Sequence, residues 1–101
     1  MPLRISFTGI LILQALAEGY RFGFDIMQVT GLPSGTIYPA LRRLESLDFV
    51  TSDWEKDLNA RKEGRPRRRY YTLTPAGRRQ LKVSEARVQA VGRLMPRGET
   101  T

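Results

Sequence analysis

The sequence predicts a mainly α domain carrying a small β-hairpin, an α+β arrangement, on three observations. Apolar residues recur at helical spacing on both sides of a corner at Thr30-Gly31-Leu32-Pro33. Past Phe49 the pattern changes to runs rich in β-branched and aromatic residues, FVTSDWE over Phe49 to Glu55 and RYYTLT over Arg69 to Thr74. A helical pattern then returns at Thr74-Pro75 and runs toward Leu94. At 101 residues the chain has room for one domain with a modest core.

The first helix is expected over Ser6 to Glu18, closed by Gly19. Most of its circumference is apolar, so it must be buried on more than one side. A short second helix, Phe22 to Val29, ends at Gly31, which can take positive φ, while Pro33 biases Leu32 away from helix. Two helices meeting through such a corner make a helix-turn-helix. The next helix starts at Ser34, a good N-cap, and buries Ile37, Ala40, Leu41, Leu44 and Leu47. Its other side carries Gly35, Pro39, Arg42, Arg43 and Ser46, and Pro39 is close enough to the start to forfeit at most about one backbone hydrogen bond. Glu45, three residues after Arg42, reads as its helix ion-pair partner.

In the hairpin, alternation places Val50, Ser52 and Trp54 on one face with Tyr71 and Leu73. Trp54 is expected to pack beneath it. The connection Lys56 to Arg68 reads as a long polar loop. Thr74 caps the last helix, with Pro75 at its first position, and Pro96 stops it. This helix carries a stripe of Leu81, Val88, Val91 and Met95. The stripe is longer than a core of Leu11, Leu13, Leu16, Ile26, Ile37, Leu41, Leu44, Val50 and Leu73 can cover, and left exposed it would favour aggregation. A second copy of the chain is the natural cover, with the first helix as the other half of the contact.

Charge narrows the function. The formal charge of +7 points to an acidic partner, nucleic acid or an anionic surface. No apolar run approaches the roughly 20 residues of a membrane span, and Ile10 to Leu16 lacks the charged leader and cleavage site of a signal peptide. The absence of cysteine fits a cytoplasmic protein. Without cysteine or histidine the usual structural zinc sites, imidazole ligation of haem, cysteine nucleophiles and Ser-His-Asp catalysis are excluded. No glycine-rich phosphate loop or metal-ligand spacing is present, and the acids Asp25, Glu45, Asp48, Asp53, Glu55 and Asp57 are scattered, so neither an enzyme nor a cofactor is expected. Arg61, Lys62, Arg65, Arg67, Arg68 and Arg69 crowd the hairpin loop and its exit against the single acid Glu63. Together with Arg42 and Arg43 they supply positive charge at the two places a DNA-binding helix-turn-helix needs it.

These residues carry a family resemblance. LPSGTIYPALRRLESLDFV, then a tryptophan strand, then GRPRRRYYTLTPAGRRQL, resembles the PadR family of bacterial transcriptional regulators, and ILILQALAEGYRFGFDI is similar to the family's first two helices. The resemblance implies a winged helix-turn-helix DNA-binding domain over 1–75, a dimerisation helix over 76–95 and, with the composition of the end, a disordered tail over 96–101. It implies a homodimer on a near-palindromic operator in double-stranded DNA, normally as a repressor. Ser34, Gly35, Thr36 and Tyr38 would meet phosphates or base edges, Arg42 and Arg43 the groove wall, and Arg65, Arg67 and Arg68 the backbone or neighbouring minor groove. The chain departs from the family pattern at Phe24, near the place of a frequent tyrosine. It also has no aromatic residue on the last helix, which the family's stacking mode for flat ligands requires; a small-molecule effector is otherwise left open. A non-specific DNA- or RNA-binding winged helix and a protein-interaction module are the alternatives.

Overall fold

The computed structural model describes residues 5–94. In chain order it comprises α1 (Phe7–Ala17), α2 (Gly23–Thr30), α3 (Ser34–Ser46), β1 (Val50–Trp54), α4 (Asp57–Lys62), β2 (Arg69–Leu73) and α5 (Pro75–Leu94). Met95 and the tail over 96–101 lie outside the described residues.

α1 is the hub. The Gly9 amide donates to the Ser6 hydroxyl at 3.1 Å to start it, and α2, α3, β2 and α5 all pack against it. That surround explains an apolar pattern with little amphipathic bias: Ile10, Ile12, Leu13, Ala15 and Leu16 are buried. They join Ile26, Ile37, Leu41, Leu44, Val50 and Leu73 in one core. Each large aliphatic side chain buried there contributes about 1.5–3 kcal/mol. Leu11, expected in that core, is only half-buried and lines a cleft of about 350 Å³ between α1, the end of α2 and α5.

The corner between α2 and α3 forms as the sequence requires. Gly31 takes φ 75°, and its amide donates to the Met27 carbonyl at 2.8 Å. The Thr30 hydroxyl donates to the Ile26 carbonyl and accepts from the Leu32 amide. α3 begins one residue earlier than expected: Pro33 is the N-cap, its carbonyl accepting from the Thr36 and Ile37 amides, and Ser34 is the first helical residue. The Ser34 hydroxyl is therefore not used as a cap, because the extended backbone of Pro33 already turns the chain into the helix.

β1 and β2 pair antiparallel, with Val50 opposite Leu73, Ser52 opposite Tyr71 and Trp54 opposite Arg69. This is the face the alternation predicted. Burial fades along it, however, and Trp54 is 51% exposed rather than tucked beneath the hairpin, because only its base rests on the helices. The stretch between the strands is not all loop: Asp57–Lys62 forms α4, with Ala60 buried beneath it. Residues 21–22 add a short third edge, since the Tyr71 amide donates to the Arg21 carbonyl at 2.8 Å and Phe22 bridges Tyr70.

Thr74 sets the angle of α5. Its hydroxyl accepts from the Gly77 amide at 2.9 Å and donates to the Asp48 carbonyl at 2.6 Å, while its amide donates to the Phe49 carbonyl. A Cβ at Gly77 would overlap that carbonyl oxygen, so only glycine lets α5 approach the end of α3 so closely. The first half of α5 completes the domain: Leu81 and Ser84 are buried, and the Gln14 amide on α1 donates to Glu85. The expected dimerisation stripe is thus divided. Leu81 belongs to its own domain's core, whereas Val88 and Val91 stand 43% and 56% exposed.

Candidate nucleic-acid interface

Two basic elements lie side by side, the outer face of α3 and the hairpin with its connecting loop. On α3, Ile37, Leu41 and Leu44 point into the core, which turns Ser34, Gly35, Tyr38, Arg42 and Arg43 outward. Thr36 is half-buried at the edge of that face. A Cβ at Gly35 would meet nothing within 4 Å, so this first turn presents backbone to whatever approaches. Tyr38 is fixed from behind: a Cβ at Gly23 would come within 2.5 Å of its hydroxyl, so the glycine at the start of α2 makes room for the ring. Tyr38, Arg42, Glu45, Ser46, Arg69 and Tyr71 line the cleft between α3 and the hairpin.

Glu45 does not pair with Arg42. It accepts the Ser52 hydroxyl at 2.7 Å and lies 3.8 Å from Arg69, whose guanidinium also donates to Ser52 Oγ at 2.9 and 2.7 Å. Glu45 faces the hairpin, so this chain of contacts ties α3 to both strands and leaves Arg42 outward. Arg69 also reaches over the Trp54 ring, 5.7 Å from its centroid.

The three arginines expected to touch DNA from the hairpin are engaged unequally, and the difference turns on Glu55, a residue that pattern reading placed among scattered acids. Glu55 is buried, at 8% exposure. Arg65 grips its carboxylate with both terminal nitrogens and also donates to Glu63 at 2.8 Å. Arg68 donates to it from its amide at 3.3 Å and its guanidinium at 3.4 Å, and that guanidinium stacks 3.8 Å from the centre of the Phe22 ring. The Arg68 Nε is buried without a hydrogen-bond partner among the described residues, in a guanidinium that lies on the Phe22 ring. Arg67 is exposed, and among the described residues its side chain donates only from Nε, to the Glu55 backbone carbonyl at 2.7 Å. Charge-assisted bonds of this kind are the strong ones. The Arg65 guanidinium is the main reason the Glu55 carboxyl is held down at about 2, with the Arg68 contacts adding to it, and Arg65 is in turn pushed above its ordinary value by Glu55. The signal in the sequence was position: Glu55 is the last residue of the FVTSDWE run, where the paired strands end and a charge must be either solvated or matched.

A helix-turn-helix whose second helix exposes a small, basic first turn, flanked by a basic hairpin, is a winged helix-turn-helix of the kind that binds DNA. Residues 12–83 match the Transcriptional regulator PadR-like family, and the chain belongs to that family. Its members are transcription regulators rather than enzymes, and this protein is a DNA-binding transcription regulator. Among solved structures the chain is similar to a PadR family transcription regulator from Clostridium difficile R20291, with 26% identity and a TM-score of 0.78, over 89% of this chain and 95% of that one. It is also similar to a PadR family transcriptional regulator from Eggerthella lenta DSM 2243, with 26% identity and a TM-score of 0.64, over 89% and 85% of the two chains. A transcriptional regulator from Clostridium thermocellum, 24% identical with a TM-score of 0.71 over 90% and 94%, shares the fold. No curated protein matches the chain. Among the described residues no helix is long and apolar enough to cross a membrane.

A carboxylate depressed on folding stabilises the fold above its unfolded pKa and loses that contribution as the folded group is protonated. Glu55→Gln should therefore unfold at lower urea than wild type at pH 7. The gap should close as pH falls from about 4.5 to about 2, the interval between the ordinary and folded values. Parallel urea curves across that range check it; a gap that does not change with pH would mean that the carboxylate's charge contributes nothing.

Proposed function

We propose that this protein is a cytoplasmic repressor that binds a near-palindromic operator as a homodimer. The first turn of α3 enters the major groove, with Ser34, Gly35, Thr36 and Tyr38 against phosphates or base edges and Arg42 and Arg43 at the groove wall, while the wing follows the flanking backbone. The observation that carries this reading is the exposed face of α3. Its leading turn holds only small side chains and a braced tyrosine, its positive dipole end faces outward, and two arginines unpaired with any described acid follow one turn later. If Arg42 or Arg43 reads a base, its replacement by alanine should cost roughly 1 to 3 kcal/mol on the operator and little on random duplex. Titration of both DNAs at one salt concentration measures this, and equal losses on the two would reduce that arginine to a phosphate ligand.

Pairing supports operator selectivity, because one module this small reads too few base pairs and a two-fold axis doubles the site. The surface available for it is the distal half of α5. From Val88 to Gly92 every residue is exposed, and Phe7 on α1 is 64% exposed, so each of the two helices that would form the contact carries apolar surface that the monomer core leaves uncovered. Met95 extends the same stripe in sequence. Replacing Val88 and Val91 together by aspartate should give a folded monomer with much weaker operator affinity, since unpaired carboxylates would be buried at the contact. Analytical ultracentrifugation decides this: a monomeric wild type at micromolar concentration, or a doubly charged variant that still pairs, would overturn the dimer.

A further inference from the structure

The wing contains more arginine than it offers to a ligand. Arg65 is saturated by two carboxylates, with its side chain only 23% exposed, whereas Arg68, with its side chain 41% exposed, lies on Phe22 and gives Glu55 one guanidinium bond at 3.4 Å. Arg67 differs, since its Nε is held by the Glu55 carbonyl and its two terminal nitrogens carry no bond among the described residues. That carbonyl is itself immobilised. The Glu55 amide donates to the Arg68 carbonyl at 2.7 Å, closing the end of the hairpin, and the Glu55 side chain is clamped from Arg65 and Arg68. An exposed arginine anchored through Nε keeps its planar fork free and limits its swing, which lowers the entropy cost when the fork meets a phosphate.

We propose that Glu55 is a positioning residue for DNA binding: with Arg68 packed on Phe22 as the other side of its clamp, it withholds Arg65 from the DNA as the wing's scaffold and aims Arg67 outward as the wing's backbone contact. This rests on the DNA-binding reading above. It revises the expectation that all three arginines neutralise phosphates, because a guanidinium already paired with a buried carboxylate would have to leave that carboxylate unmatched to reach DNA.

The test uses the full chain and a duplex that the wild-type protein selects from a random-sequence pool, with affinity measured against potassium chloride concentration. Arg67→Ala should lower the salt slope by about 0.9, the value for one phosphate no longer neutralised. Arg65→Ala should leave the slope at the wild-type value while lowering the urea midpoint. A fall in slope for Arg65→Ala equal to that for Arg67→Ala would overturn the proposal. Glu55→Gln then separates aiming from general structural support. With both backgrounds folded, the affinity cost of Arg67→Ala should shrink by about threefold or more in the Glu55→Gln background, because the glutamine keeps the carbonyl that Arg67 holds but loses the charged clamp that fixes it. An unchanged cost would make Glu55 a purely structural residue. Should Glu55→Gln not fold, the two arginine slopes decide alone. A wild type that selects no duplex and shows no salt-dependent binding would instead overturn the DNA-binding reading itself, an outcome distinct from normal binding with additive variants.

Discussion

Water barely reaches Glu55, and a charge in that position has to be matched where it sits. The chain matches it with two arginines from the far side of the hairpin, and one of these lies on the ring of Phe22, the residue that starts α2. A single carboxylate thereby joins the end of β1, the turn before β2 and the entry to the helix-turn-helix. Without that carboxylate the tip of the hairpin would lose its ionic tie to the helix-turn-helix and keep only the short backbone edge at residues 21–22 on that side. The basic loop would then spread its charges by mutual repulsion instead of holding them in one arrangement.

The rest of the interface is braced in a similar way from the opposite side. Glu45, Ser52 and Arg69 link α3 to the two strands, and Thr74 with Gly77 brings α5 against the end of α3. The outer face of α3 and the wing therefore share one frame. Such preorganisation matters because every side chain or loop that must be ordered on binding subtracts from affinity. It also explains why a strongly basic surface here contains many acids. Glu45, Glu55 and Glu63 sit among the arginines to set their directions, and the net positive charge is left to the side chains those acids do not hold.

Much of this fold was legible in the sequence because it rests on period and punctuation. The helical spacing of α1 and α3, Gly31 and Pro33 at the corner, the alternation that put Val50, Ser52 and Trp54 on one face, and Thr74-Pro75 at the start of α5 each have a local physical cause. What was not legible depends on residues distant in the chain. Glu45 looked like a partner for Arg42 because the two are helical neighbours, and nothing local reveals that Ser52 and Arg69 compete for it. Leu81 looked like part of an open stripe because its burial depends on α1, about 70 residues earlier. Trp54 looked like core by residue type, although its strand had already run past the helices. Charge density marks the arginines of the hairpin as a group, but density does not tell which of them are held by a carboxylate; that depends on the position of Glu55.

If α3 and the wing form one rigid unit before any ligand arrives, amide hydrogen exchange of the free protein will show it. The Glu55 amide, bonded to the Arg68 carbonyl, and the Tyr71 amide, bonded to the Arg21 carbonyl, should be protected in the DNA-free protein to an extent comparable with the Leu41 and Leu44 amides of α3. Exchange of those two wing amides at the rate of an open loop, with protection appearing only when DNA is added, would mean that the wing is ordered by the DNA and not beforehand.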